Sequence, residues 1–308
     1  MSTAGALGET LQAWRARISP EDVGLPTYGE RRRVSGLRRE ELALLAGVSA
    51  SYYTRLEQGH SRNASPEVLD AIARALNLTA AERQHLGTLA AVRPRTTPRR
   101  PPAEHVDEAL SDLLTALGDV PALVLGRRSD VLAWNPAGHA LLAGHLAADG
   151  PHHARTRPNM TELVFLDPDV RALYADWPAK ARAVVGNLRL TAGLHADDPL
   201  LAALIGRLSL NSPDFARLWG DHRVHPCATA DYELHHPLVG TLTVTQQSLK
   251  ALQAPEQTLV TCTAPAASPS AQALALLAQL RPHLRRPSHE TRIPRHPDGG
   301  GHMIEIAQ

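Results

Sequence analysis

The chain is short of several things that would fix its class at once. It has only two cysteines, Cys227 and Cys262, in 308 residues, too few and too far apart for a disulfide scaffold or a zinc module. Aromatic residues make up 4%. Lysine is almost missing: Lys180 and Lys250 stand alone among 32 basic residues, the rest being arginine. With Ala, Leu and Pro abundant, that bias reflects GC-rich coding more than chemistry. No apolar run reaches the roughly 18–20 residues needed to span a bilayer. The first residues lack the basic-then-apolar build of a secretory signal. The expectation is therefore a cytoplasmic bacterial protein with no membrane partner. A glycine-rich phosphate loop, a G-x-S-x-G elbow and an H-E-x-x-H pair are all missing, so no catalytic residue is nominated and no enzyme is expected.

What is present suits a globular chain with room for two domains, at 43% hydrophobic and 20% charged residues. The formal charge of +1 conceals an asymmetry. Residues 1–100 carry 15 arginines against 10 acids, and residues 101–308 carry 17 basic groups against 21 acids. A cationic first third beside an anionic remainder suits a nucleic-acid module joined to something else.

The most informative stretch is 37–59, LRREELALLAGVSASYYTRLEQG. Leu42, Leu45 and Ala46 recur at helical spacing and predict one buried face. Gly47 fits a left-handed helix stop and Ser49 the N-cap of a second helix. In that second helix Tyr53 and Leu56 point inward, with Tyr52 able to join them. Ala50, Ser51, Thr54 and Arg55 are left outside, and a tip of small residues can approach the floor of a DNA major groove. Around it, Leu7, Leu11, Trp14 and Ile18 mark a first helix ended by Pro20. Ser65-Pro66-Glu67 opens a fourth helix whose inner stripe is Val68, Leu69, Ile72, Ala73 and Leu76, and Thr79 with Glu82 forms the capping box of a fifth.

The phrases LALLAGVS, SYYTRLEQGHSRNAS and SPEVLDAIARALNL together resemble the lambda-repressor-like, or XRE, family of DNA-binding regulators. The resemblance implies an all-α helix-turn-helix domain that binds double-stranded operator DNA as one half of a homodimer. It places Arg38 and Arg39 at the phosphate backbone, Ser49, Ala50, Ser51, Tyr52, Thr54 and Arg55 at the groove, and Arg62 and Asn63 in a phosphate-touching loop. Glu57 is expected to brace Arg55 or another arginine. The connection between the first two helices, which holds the triplet Arg31-Arg32-Arg33, is longer than usual for the family. Arginines 93, 95, 99 and 100, interleaved with prolines, form a stiff, extended linker.

Beyond the linker, Val106–Leu117 reads as a helix and PALVLGRRSDVLAWNPAG as strand, turn, strand and helix start at Asn135-Pro136. A helical middle spans 168–218, broken near Gly193 and at Asn211-Ser212-Pro213. Strands joined at 236–240, another in QTLVTCTA and a closing helix capped by Ser268 or Ser270 complete an α+β order with a curved antiparallel sheet. These phrases, with NMTELVFLDP and SPDFARLWGDHRV, resemble the ligand-binding domain of MmyB-like transcription regulators, whose fold is PAS-like. The resemblance implies a small apolar ligand, such as a fatty acid, and no other cofactor.

The candidates for lining that pocket are the bulky aromatics Trp134, Phe165, Trp177, Phe215 and Trp219, for each of which plain core packing is the favoured account. Arg182 is the candidate anchor for a carboxylate, and an exposed arginine is the plainer account of it. Asn135 reads as a helix cap. Asp221, His222, His225 and Cys227 are metal-capable but sit where Pro226 denies them a helical face, so no metal is expected. Cys227 and Cys262 are read as bystander thiols.

The expected layout is a DNA-binding domain over 1–92, a linker over 93–103, a ligand-binding domain over 104–284 and a disordered tail over 285–308. The expected role is a ligand-modulated regulator, and repression is favoured over activation. A dimerisation or protein-interaction module without ligand is the alternative, and an enzyme on a PAS-like scaffold ranks last.

Overall fold

The structure, a computed structural model, describes residues 3–25, 36–60, 64–91, 103–224 and 228–284. The Arg31–Arg33 triplet, Arg62, Asn63, residues 93–102 of the linker, His225, Cys227 and the tail lie outside the described residues. Among those described, the amino-terminal region holds five helices: α1 (Thr3–Ala16), α2 (Arg39–Leu45), α3 (Ala50–Glu57), α4 (Pro66–Ala75) and α5 (Ala80–Ala90). α1 buries Leu7, Leu11 and Trp14. It ends before Ile18, and Pro20 leads into a short 3-10 turn.

The turn between α2 and α3 follows from local chemistry. Gly47 adopts a left-handed φ of 66°, and Val48 N–H returns to Ala43 C=O at 2.9 Å, the six-to-one bond that closes a helix at glycine. Ser49 Oγ then accepts from Tyr52 N–H. One expectation is corrected: Leu45 is 37% exposed, and Ala43 packs inward beside Leu42 and Ala46. A helix of only seven residues presents a single inner turn, and 42, 43 and 46 occupy it. Ser65, Thr79 and Glu82 cap α4 and α5 as their spacing predicts. Val68 and Leu69 are half-buried, whereas Ile72, Ala73 and Leu76 are fully inside.

The carboxy-terminal region runs α6 (Glu108–Ala116), β1 (Ala122–Leu125), β2 (Val131–Trp134), α7 (Pro136–Ala143), α8 (Met160–Leu166), α9 (Pro168–Leu173), α10 (Trp177–Leu194), α11 (Pro199–Asn211), α12 (Pro213–Gly220), β3 (Thr229–His236), β4 (Gly240–Lys250), β5 (Thr258–Thr263) and α13 (Pro269–Leu284). The five strands form one antiparallel sheet in the order β2-β1-β5-β4-β3. Cap-then-proline pairs start the helices: Asn135-Pro136, Asp167-Pro168, Asp198-Pro199 and Ser212-Pro213 each put a side-chain acceptor on the first free N–H groups. Ser268 takes that role for α13, and Ser270 instead accepts from Thr243 N–H of β4.

Strand alternation divides the sheet. Ala122, Val124, Leu132 and Leu259 face α6 and its Leu110 and Leu114. Leu123, Tyr232, Leu234, Leu242, Val244 and Val260 face the larger helical layer. α10, the longest helix, crosses that layer and also meets the amino-terminal domain. Leu190 packs on the amino-terminal core, as does Val224 from the segment after α12. Trp14 Nε1–H donates to His222 C=O at 2.9 Å, and Thr10 Oγ1 lies 3.2 Å from His222 Nδ1. Gly193 sits so close to His85 of α5 that an added Cβ would lie 2.7 Å from its ring.

Candidate DNA-binding helix and ligand cavity

The tip of α3 is built as a probe. Ser49, Ala50, Ser51 and Arg55 are exposed, Tyr52 and Thr54 half-exposed, and Tyr53 and Leu56 completely buried. The helix is held from behind by a clamp that sequence reasoning saw only in part. Glu57, 7% exposed, accepts from Arg15 of α1 (Nε 3.0 Å, Nη2 2.9 Å) and from Arg39 of α2 (Nε 2.9 Å). Arg15 also donates to Leu37 C=O at 2.6 Å. Burial opposes the charge on Glu57, yet the hydrogen bonds and charges of Arg15 and Arg39 hold its carboxyl below the usual range. Glu57 thus braces arginines 15 and 39, and Arg55 stays outside. Arg39 shares itself between this clamp and the surface, its side chain being 43% exposed. Arg38 is half-exposed, and its N–H donates to Glu41 Oε2 at 2.6 Å, completing the start of α2.

The second feature is a cavity of about 540 Å³ between α10 and the sheet. Lys180, Ala183, Val184, Asn187, Thr191 and Leu194 line it at helical spacing along α10, a stripe of about 21 Å at 1.5 Å per residue. Opposite them, Gln246, Ser248 and Lys250 of β4, Thr258 and Val260 of β5, and Leu123 and Leu125 of β1 present the alternate positions of one sheet face. Leu142, Met160 and Thr161 close a side. Thr161 is 0% exposed and its hydroxyl has no hydrogen-bond partner among the described residues.

None of the six residues singled out from the sequence is among those lining this cavity. The structure brings most of the aromatics together elsewhere. Phe165 meets Trp177 at 5.7 Å and Phe215 at 5.1 Å between ring centres, and Phe215 stacks on Trp219 at 5.6 Å. Trp134 packs on His139 at 4.8 Å and donates to Ala148 C=O. Arg182 is exposed. The cation that α10 turns to the cavity is Lys180, 4% exposed, whose Nζ donates to Gln246 Oε1 at 2.7 Å and lies 4.8 and 4.5 Å from the ring centres of Tyr174 and Tyr232. One signal could have found it. A chain that uses arginine almost everywhere keeps lysine at this buried point, where a compact ammonium fits and a planar fork is a different object.

Between the two domains lies a buried polar cluster. Arg189 of α10 donates to Trp219 C=O, sits 3.1 Å from His222 Nδ1 and stacks 4.3 Å from the Trp219 ring. Burial, reinforced by the Arg189 charge, pushes both His85 and His222 down to about 4. Burial likewise lowers Arg189 to about 10. Asn135 is confirmed as a cap, accepting from Gly138 N–H and Ala122 N–H. Cys262 is buried, and desolvation raises its thiol to about 11, which keeps it protonated and unreactive at neutral pH. His145, Asp167 and Asp169 are the metal-capable group among the described residues, and they lie at the surface.

Among the described residues no helix is long and apolar enough to cross a membrane. Residues 30–83 match a helix-turn-helix family model, and residues 106–277 match the MmyB-like transcription regulator ligand binding domain. No curated protein matches the chain. With the second match covering more than half of the chain, behind an exposed recognition helix and around the cavity, this protein belongs to the MmyB-like transcription regulators: a helix-turn-helix DNA-binding domain joined to a ligand-binding domain.

Proposed function

We propose that this regulator is a repressor whose grip on operator DNA changes when a small apolar molecule, such as a fatty acid, occupies the cavity along α10. The observation that carries this reading is the double duty of that helix. One stripe of α10 lines the cavity, Leu190 both lines it and packs on the amino-terminal core, and Arg189 and Gly193 meet the segment that holds α1 or α5 itself. A ligand that shifts α10 therefore has a mechanical route to the DNA-binding domain. By linkage, it changes DNA affinity by the ratio of its own affinities for the two arrangements. A domain that only sensed a protein partner would be served by a filled core; a connected cavity of about 540 Å³ favours a ligand.

On the DNA, α3 enters the major groove of one half-site and a second copy of the chain takes the other, about one helical turn away. Ser49, Ala50, Ser51, Tyr52, Thr54 and Arg55 read bases, and Arg38, Arg39, Arg62 and Asn63 meet phosphates. Repression is the economical role, since occupancy of a promoter suffices for it. The test is retardation of the gene's own upstream DNA, with and without a lipid extract. Arg55→Ala is expected to cost about 1–3 kcal/mol on the operator and to relax base preference. Equal loss on operator and random DNA would argue against α3 as the reading helix.

A further inference from the structure

The cavity along α10 has chemically different ends. The strand register orders them: Gln246 pairs with Cys262 at the inner end, Ser248 with Val260 next, and Lys250 with Thr258 at the rim. The rim is exposed at Lys250, Pro255 and Glu256. Of its charged groups, Arg127 is already paired, 3.6 Å from Glu104, 3.5 Å from Asp198 and 3.9 Å from Glu256, His195 Nε2 is 2.8 Å from Glu256 Oε2, and Lys250 stands exposed to water. An anionic ligand group placed there would meet Lys250 only in open water, where the pair is screened, and would also face Glu256.

At the inner end the wall is Lys180, Gln246, Tyr174 and Tyr232, with Lys180, Tyr174 and Tyr232 each less than 8% exposed. Gln246 and the two rings hold the ammonium at the wall. A wholly hydrocarbon ligand would set tail carbons against this cation and against the orphan hydroxyl of Thr161, both of which are costly to leave facing apolar matter. The same ion pair is about four times stronger at an effective dielectric near 20 than in bulk water. The inner cation therefore outweighs the rim as a place for an anion.

We propose that the cavity takes a long-chain monocarboxylate head first, with the carboxylate on Lys180 beside Gln246 and the alkyl tail running along the α10 stripe toward Leu194 and the rim. This rests on the reading that the cavity holds an apolar small molecule. It adds the direction of entry and the residue that recognises the head. Lys180 is then the specificity determinant between an acid and a neutral lipid of equal length, and exposed Arg182 takes no part.

The test compares palmitic acid with hexadecanol, which has the same chain and no charge, by calorimetry on the delipidated full-length protein. Wild type should bind the acid about tenfold or more tighter than the alcohol. Lys180→Met should bring the acid down to the alcohol's affinity, and Lys180→Arg should restore part of the preference. Arg127→Met and Lys250→Met should keep it. In wild type, independent of how Lys180 variants fold, the α-methylene protons of labelled palmitic acid should show nuclear Overhauser contacts to the Tyr174 and Tyr232 rings. Contacts to Pro255 instead, or loss of the preference in Arg127→Met, would overturn the proposal. Equal binding of acid and alcohol would overturn the head-first placement and leave the cavity reading standing. Binding of neither would remove both.

Discussion

At the scale of single residues, the DNA-binding domain depends on one buried carboxylate. Glu57 joins α1, α2 and α3 through Arg15 and Arg39, with side-chain exposures of 2%, 11% and 43%. Replacing it leaves Arg15 buried without its counter-charge, a change that costs about 3–5 kcal/mol when such pairs are broken from one side. Glu57→Gln should therefore lower the unfolding free energy by roughly 3 kcal/mol in denaturant titration. A change within about 0.5 kcal/mol would mean the clamp is dispensable. The sequence shows that Glu57 needs an arginine, because a carboxylate on the inner side of a short helix must be paired. It does not say which, since Arg15 is far away along the chain and only the packing of α1 selects it. The same limit explains the cavity. Trp134, Phe165, Trp177, Phe215 and Trp219 are legible as bulk, but bulk that packs on itself fills space. The residues that line an opening here are mostly small or polar: Ala183, Asn187, Ser248 and Thr258.

At the scale of elements, local chemistry was legible and tertiary choice was not. Gly47, Ser49, Ser65, Thr79 and Asn135 each occupy the cap or turn position that their type predicts, because those bonds close within four residues. The strands 122–125 and 131–134 likewise follow from two short apolar runs on either side of a polar turn. The short helix α8 carries no comparable periodic signal, and Leu45 faces outward despite its spacing. The role of α10 is the chief feature hidden from sequence, since only the fold puts one stripe on a cavity and another on α5. Gly193 is the point of closest approach, and a methyl there meets a ring on the opposite domain. Gly193→Ala should loosen the α5–α10 contact by about 1–3 kcal/mol, the usual range for overpacking. Proteolysis or hydrogen exchange at α5 should show the change. Unchanged protection at α5 would mean the two helices are not coupled.

At the scale of the whole molecule, two domains share a buried, ionisable seam. His85 and His222 are held near 4 by burial and by Arg189, with Glu82 opposing at His85 and Arg17 adding at His222. The folded, docked state thus binds fewer protons than the open chain between about pH 4 and 6.5, so stability rises with pH across that window. Each histidine contributes fully above about pH 6.5 and loses its contribution as pH falls toward 4, with a slope of up to about 1.4 kcal/mol per pH unit. Thermal unfolding followed over that range should show the slope, and His85→Gln with His222→Gln should flatten it. A slope unchanged in the double variant would place the pH dependence elsewhere.

The charge asymmetry between the two parts of the chain and the helix-turn-helix phrase made the two-domain plan readable early. Their joint action rests on α10, and reciprocity makes it measurable. The direct measurement is the dissociation constant of the full-length protein for its upstream DNA at fixed salt, with and without saturating palmitic acid. The account predicts a difference of at least about fivefold, mirrored by an equal factor in palmitic acid affinity when DNA is added. The same constant in both states, with the acid demonstrably bound, would contradict it.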